Sequence, residues 1–127
     1  MRGSRSSVAA IALALVAAAC LPRPAAAACI GPNASWAYQG ETVVITREVS
    51  GNDGCHFQFR SGGAGIFESS AIVTKPAHGV FGKTTVYDFA YLPKAGYVGA
   101  DTATAKICGT WYGSKGCSTL QFQFTVR

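Results

Sequence analysis

Charge is scarce in this chain: 13% of its 127 residues are Asp, Glu, Lys or Arg, and only two are histidine. The motifs that announce common chemistries are missing as well. There is no Gly-x-Ser-x-Gly elbow, no P-loop, no dinucleotide fingerprint, no His-Glu-x-x-His and no Cys-x-x-Cys. His56 and His78 lack the spacing of paired metal ligands or of a catalytic triad. The six acids, Glu41, Glu48, Asp53, Glu68, Asp88 and Asp101, are dispersed, so no carboxylate pair stands ready for acid and base work. The apolar stretch from Val8 to Ala19 is twelve residues long. That is short of the about twenty needed to cross a bilayer, so no membrane span is expected. These absences point away from an enzyme, and neither a cofactor nor a metal is expected.

The chain holds instead 49% hydrophobic residues and fifteen glycines without a Gly-X-Y period, which excludes disorder and collagen. Its length suits one domain. Arg2 and Arg5 precede the apolar stretch, and Ala25–Ala28 supplies small residues for cleavage after Ala28 or one residue earlier. Residues 1–28 therefore read as a signal peptide, with a secreted or periplasmic domain over 29–127. Ala17-Ala18-Ala19-Cys20 lacks the leucine of a lipobox, so a lipid anchor at Cys20 is not expected. Losing the leader removes three of eleven basic residues and no acid, which leaves eight against six and a net charge of +2. Those charges are scattered, and no basic stripe exists to meet nucleic acid.

Four cysteines remain: Cys29, Cys55, Cys108 and Cys117. An even count in an exported domain of this size reads as two disulfides. Alternation sets Ala103, Ala105 and Ile107 on one face of one strand, and Leu120, Phe122, Phe124 and Val126 on one face of another. Placing Cys108 opposite Cys117 puts Ala105 across from Leu120 and Ala103 across from Phe122, small against large. Outside, Lys106 meets Thr119 and Thr104 meets Gln121, so one register satisfies both faces and the disulfide. Cys29 with Cys55 follows by elimination.

No stretch has a sustained helical period, whereas β-branched and aromatic runs recur between glycine-rich breaks. Eight strands are predicted, at Ala34–Tyr38, Thr42–Glu48, Cys55–Arg60, Phe67–Thr74, Gly79–Gly82, Thr85–Tyr91, Asp101–Cys108 and Ser118–Val126. Inward rows contain Phe57 and Phe59, then Tyr87, Phe89 and Tyr91, then Phe122 and Phe124. The fold class is all-β: an immunoglobulin-like antiparallel β-sandwich of seven or eight strands with two disulfides, a small barrel being the competing solution.

The segments Lys75-Pro76-Ala77-His78-Gly79-Val80, Tyr91-Leu92-Pro93 and Gly96-Tyr97-Val98-Gly99-Ala100-Asp101 together resemble bacterial Ig-like and cadherin-like repeat domains. The resemblance spans Lys75 to Asp101 and implies a sandwich with no shared catalytic residues. By analogy with cadherin-like repeats it implies a calcium ligand at Asp101, while Tyr97 itself reads as a tyrosine-corner residue that bonds back to nearby backbone. The residues themselves read Asp101 as a loop cap, because one acid cannot supply the six to eight oxygens of a calcium site. Thr102-Ala103-Thr104-Ala105 stands where the repeats carry an aromatic.

The segment from Gly109 to Gly116 carries Trp111, Tyr112 and Lys115 between the bridged strand ends. These three form the candidate binding loop, because rigid aromatics beside glycines give contact area at little ordering cost. The alternative is that Trp111 folds back over the sandwich edge. Trp36 is expected in the core or covering an edge. The expected function is an exported, non-enzymatic binding or cell-envelope structural module that meets protein or glycan of the envelope. A small secreted inhibitor of a protease or lysozyme, using the 108–117 loop, is the alternative.

Overall fold

The computed structural model describes residues 28–127 except Asn52 and Ser61, together with Gly3. Of the segment expected to be a signal peptide, residues 1–28, all but Gly3 and Ala28 lie outside the described residues, Cys20 among them. Within them the chain forms eight strands and no helix: β1 Ala28–Ile30, β2 Thr42–Ser50, β3 Cys55–Gln58, β4 Gly65–Thr74, β5 Gly79–Lys83, β6 Asp88–Pro93, β7 Gly99–Trp111 and β8 Ser114–Val126. A five-stranded sheet has the order β1-β2-β8-β7-β4, and a three-stranded sheet the order β3-β6-β5.

Rings from the two sheets meet in one core. Phe57 of β3 sits edge-on to Phe122 of β8 at 4.9 Å, Phe81 of β5 lies 4.8 Å from Phe122, and Tyr91 of β6 stacks on Phe124 at 3.7 Å. Opposite these rings, Ala103, Ala105 and Ile107 of β7 are almost fully buried, the small residues leaving room for the large ones. The β7–β8 register pairs Ala105 with Leu120, Ala103 with Phe122, Lys106 with Thr119, Thr104 with Gln121 and Cys108 with Cys117, as the alternation requires. Both disulfides form as expected. Cys108–Cys117 spans the hairpin, and Cys29–Cys55 ties β1 of the large sheet to β3 of the small one.

Four expectations are corrected. The arrangement is not wholly antiparallel, since β2 runs parallel to β8 from Thr42 beside Thr119 to Val49 beside Val126. Alternation assigns a strand's faces but carries no direction, so Ile45 and Val49 would face the core either way. Second, Ala34–Tyr38 joins no ladder. At its end side chains take the backbone donors: Ala37 N–H and, just beyond, Gln39 N–H donate to the Glu41 carboxylate, and Tyr38 N–H donates to Ser118 Oγ at 3.1 Å.

Third, residues 84–87 bend, and β6 begins only at Asp88. Thr85 Oγ1 donates to Asp88 Oδ2 at 2.7 Å and accepts from Tyr87 N–H at 3.2 Å, a side-chain turn that displaces the ladder. Tyr87 is consequently 49% exposed, its ring 5.0 Å from Phe67, and not part of the inward row. Fourth, the 108–117 segment is not an open loop. Pairing continues past the disulfide through Gly109 with Gly116 and Thr110 with Lys115 to Trp111 with Ser114.

Candidate functional site

The end of the β7–β8 hairpin is a two-residue turn. Tyr112 and Gly113 have φ of 48° and 80°, the left-handed pair that matches the twist of a hairpin. Glycine adopts this conformation freely, but tyrosine does so against its Cβ. Tyr112 is nevertheless 79% exposed, and its N–H donates to the Ala64 carbonyl at 3.2 Å. Lys115 is exposed on the same hairpin end. Trp111 is half-buried: its indole meets Tyr112 edge-on at 5.3 Å and covers Gly65, where a Cβ would stand 3.1 Å from the ring. Trp111 thus folds back over the sheet edge while Tyr112 and Lys115 project.

Beneath this tip, the segment before β2 crosses the hairpin. Gly40 N–H donates to the Cys117 carbonyl at 2.8 Å, and Tyr38 is buried against Gly109 and Gly116, the pair beyond the disulfide. A Cβ at Gly109 would lie 2.9 Å from the Tyr38 ring, and one at Gly116 would overlap the Tyr38 carbonyl. The two glycines therefore form a floor that only glycine permits. Tyr38 itself has φ of 55°, and Glu41 closes the turn around it. Burial opposes the charge on Glu41. The N–H groups of Ala37, Glu41 and Gln39, with the Ser118 hydroxyl, outweigh it and bring the carboxyl pKa down to about 2.

Between the crossing segment and the tip lies an open groove of about 570 Å³, lined by Trp36, Trp111, Ser35, Gln39, Gly40 and Glu41 among others. Trp36 is half-buried and packs edge-on against Phe59 at 5.2 Å. Both indoles are therefore fixed from behind. Of the groove residues, sequence reasoning singled out the two tryptophans without bringing them together. Gln39 and Glu41 were missed, although the Gln39-Gly40 turn pair before an acid was a signal.

Asp101 lies at the other end of β7 and is buried. Its Oδ1 accepts from Ala77 N–H and Thr102 N–H, both at 3.1 Å, and its Oδ2 from His78 N–H at 3.2 Å and Tyr91 O–H at 2.7 Å. This carboxylate caps the Pro76-Ala77-His78 turn, as the loop-cap reading expects, and its acceptor sites are filled by the protein. Burial and then the bond to Asp101 push the Tyr91 phenol well above its ordinary value. Tyr97 donates to the Ala100 carbonyl at 2.5 Å and stacks on His78 at 4.1 Å. Its bond runs forward along the chain, not upstream as in a tyrosine corner. His56 is exposed on β3, far in sequence from this cluster.

Two disulfides fit a protein of an oxidising compartment, extracellular or periplasmic. Among the described residues no helix is long and apolar enough to cross a membrane. Comparison with protein-family models, curated proteins and solved structures gives no match.

Proposed function

We propose that this chain is an exported, non-enzymatic, immunoglobulin-like module of the cell envelope, which binds a protein or glycan partner through the β7–β8 tip. The observation that carries the reading is Tyr112: a bulky ring in a left-handed conformation, almost uncovered, at a position where glycine or asparagine would be at ease. An edge-on contact with Trp111 and the bond to Ala64 are small returns for that backbone strain, which supports a residue kept for contact. Trp111 beside it and Lys115 opposite Thr110 extend the contact face, on a hairpin clamped by Cys108–Cys117.

The strand order supports the immunoglobulin-like part. β4, β7 and β8 correspond to strands C, F and G, and β3, β6 and β5 to B, E and D. The first strands depart from that scheme by pairing along β8 instead of beside β3. A non-enzymatic role is supported by the acids with the most hydrogen bonds, Glu41 and Asp101, both of which hold backbone turns. The second reading, inhibition of a protease or lysozyme, is favoured by the same clamped, projecting hairpin, which has the form of a rigid plug.

The test uses two variants of the oxidised protein on immobilised envelope extract. Tyr112→Asn relieves the left-handed strain and is expected to raise thermal stability, by about 1 kcal/mol, while retention falls. Trp111→Ala with Tyr112→Ala is expected to abolish retention. Unchanged retention in both overturns the tip as the contact. Stoichiometric loss of protease or lysozyme activity on adding the wild-type protein selects the inhibitor reading instead.

A further inference from the structure

The groove beneath the tip is a second, distinct element of the contact surface. We infer that it is a binding subsite for an uncharged sugar chain, held between the indoles of Trp36 and Trp111. This inference deepens the reading above by naming the ligand class at the same end of the molecule.

Charge comes first. Glu41 is the one ionisable residue lining the groove, and no Lys or Arg does so. An anionic ligand such as a phosphate or uronate would meet an acid and no cation. The Glu41 carboxylate is itself turned onto Ala37 N–H and Gln39 N–H, one on each oxygen, so it shapes the wall. An anion is disfavoured, and apart from this one acid the lining is neutral, which suits an uncharged ligand.

The lining then narrows the class. Two indoles offer broad apolar faces, while the Gln39 amide and the Ser35 hydroxyl can each donate and accept. A pyranose ring has the matching surface, with apolar C–H faces and a rim of hydroxyls that also donate and accept. A proline-rich peptide would match the aromatic walls, but its backbone offers mainly acceptors, leaving half of that polar capacity unused. The volume of about 570 Å³ falls within the usual range of small-ligand sites.

The groove is also pre-organised. Trp36 is backed by Phe59, Trp111 rests on Gly65, and the wall between them is fixed by Glu41 and by Gly40 N–H on the Cys117 carbonyl. Little ordering is needed when a ligand arrives.

The chain has two tryptophans in all, so its NMR spectrum carries two indole N–H signals, both from this groove. Titration of the oxidised full-length protein with the neutral trimers of N-acetylglucosamine and of glucose, up to about 10 mM, is expected to shift both signals saturably with at least one trimer. Trp36→Ala and, as a variant that leaves the core untouched, Gln39→Ala are each expected to weaken that binding at least about fivefold. Lys115→Ala, at a tip residue outside the groove lining, is expected to leave it within about twofold. No shift with either trimer overturns the subsite. So does equal or stronger binding of a uronate trimer or of a polyproline hexapeptide. If envelope retention depends on Tyr112 while no trimer moves the indoles, the sugar subsite fails and the tip reading stands.

Discussion

Glu41 and Tyr91 give the molecule two opposite responses to pH. The Glu41 carboxyl is lowered from 4.5 to about 2, so its contribution to stability is complete above the unfolded value and is lost as pH falls from about 4.5 towards 2. Urea unfolding at pH 3 and pH 6 should therefore show a smaller pH difference for Glu41→Gln than for the wild type. Tyr91 works at the alkaline end. Its phenol is raised in the fold, whereas an unfolded tyrosine ionises near 10. Stability should decline as pH climbs beyond about 10, and Tyr91→Phe should remove part of that decline. Asp101→Asn replaces an acceptor of two donors by an amide group that donates, and is expected to cost about 1–3 kcal/mol, measured by denaturant unfolding at neutral pH. Asp101 was readable as a cap because a lone acid suits a backbone turn better than a calcium site. The Glu41 turn was not, because its partners Ser118 and Cys117 lie far along the chain and follow no local period.

Strands with a clean alternation were the ones legible in advance. The β7–β8 register could be read residue by residue, since one pairing satisfied an inward row, an outward row and a cysteine pair together. Where polar side chains captured the backbone, alternation misled: Ala34–Tyr38 and Thr85–Tyr87 look like strand and are held as turns by Glu41 and Asp88. The hairpin end was also underestimated, because the glycines at 109 and 116 read as loop signals when they are the floor for Tyr38. The two disulfides should differ in weight. Cys29–Cys55 closes a separation of 26 residues and Cys108–Cys117 one of 9, so the chain-entropy argument gives about 3.5 and about 2.6 kcal/mol. Paired Cys→Ser variants unfolded in urea should rank in that order. The hairpin variant should fall below its figure, because ladder pairing beyond the bridge already restrains the strands.

At the scale of the whole molecule, the two-sheet architecture followed from the strand count and the aromatic rows, while the parallel seam between β2 and β8 needed the third dimension. The candidate site divides in the same way. Trp111, Tyr112 and Lys115 share one short segment and could be named together. The groove exists only because residues 35–41 pass across the hairpin, joining Trp36 to a tryptophan 75 positions later. The seam also settles a matter of orientation. Ala28 pairs with Ser50, and the neighbouring Val49 pairs with Val126, so the start of β1 and the finish of β8 share one pole. β8 is 13 residues long and at about 3.3 Å per residue carries its Ser114 end about 40 Å away. A tether fixed at either Ala28 or Arg127 would thus hold the body upright and aim the tryptophan and tyrosine rings outward, away from whatever surface the tether is rooted in.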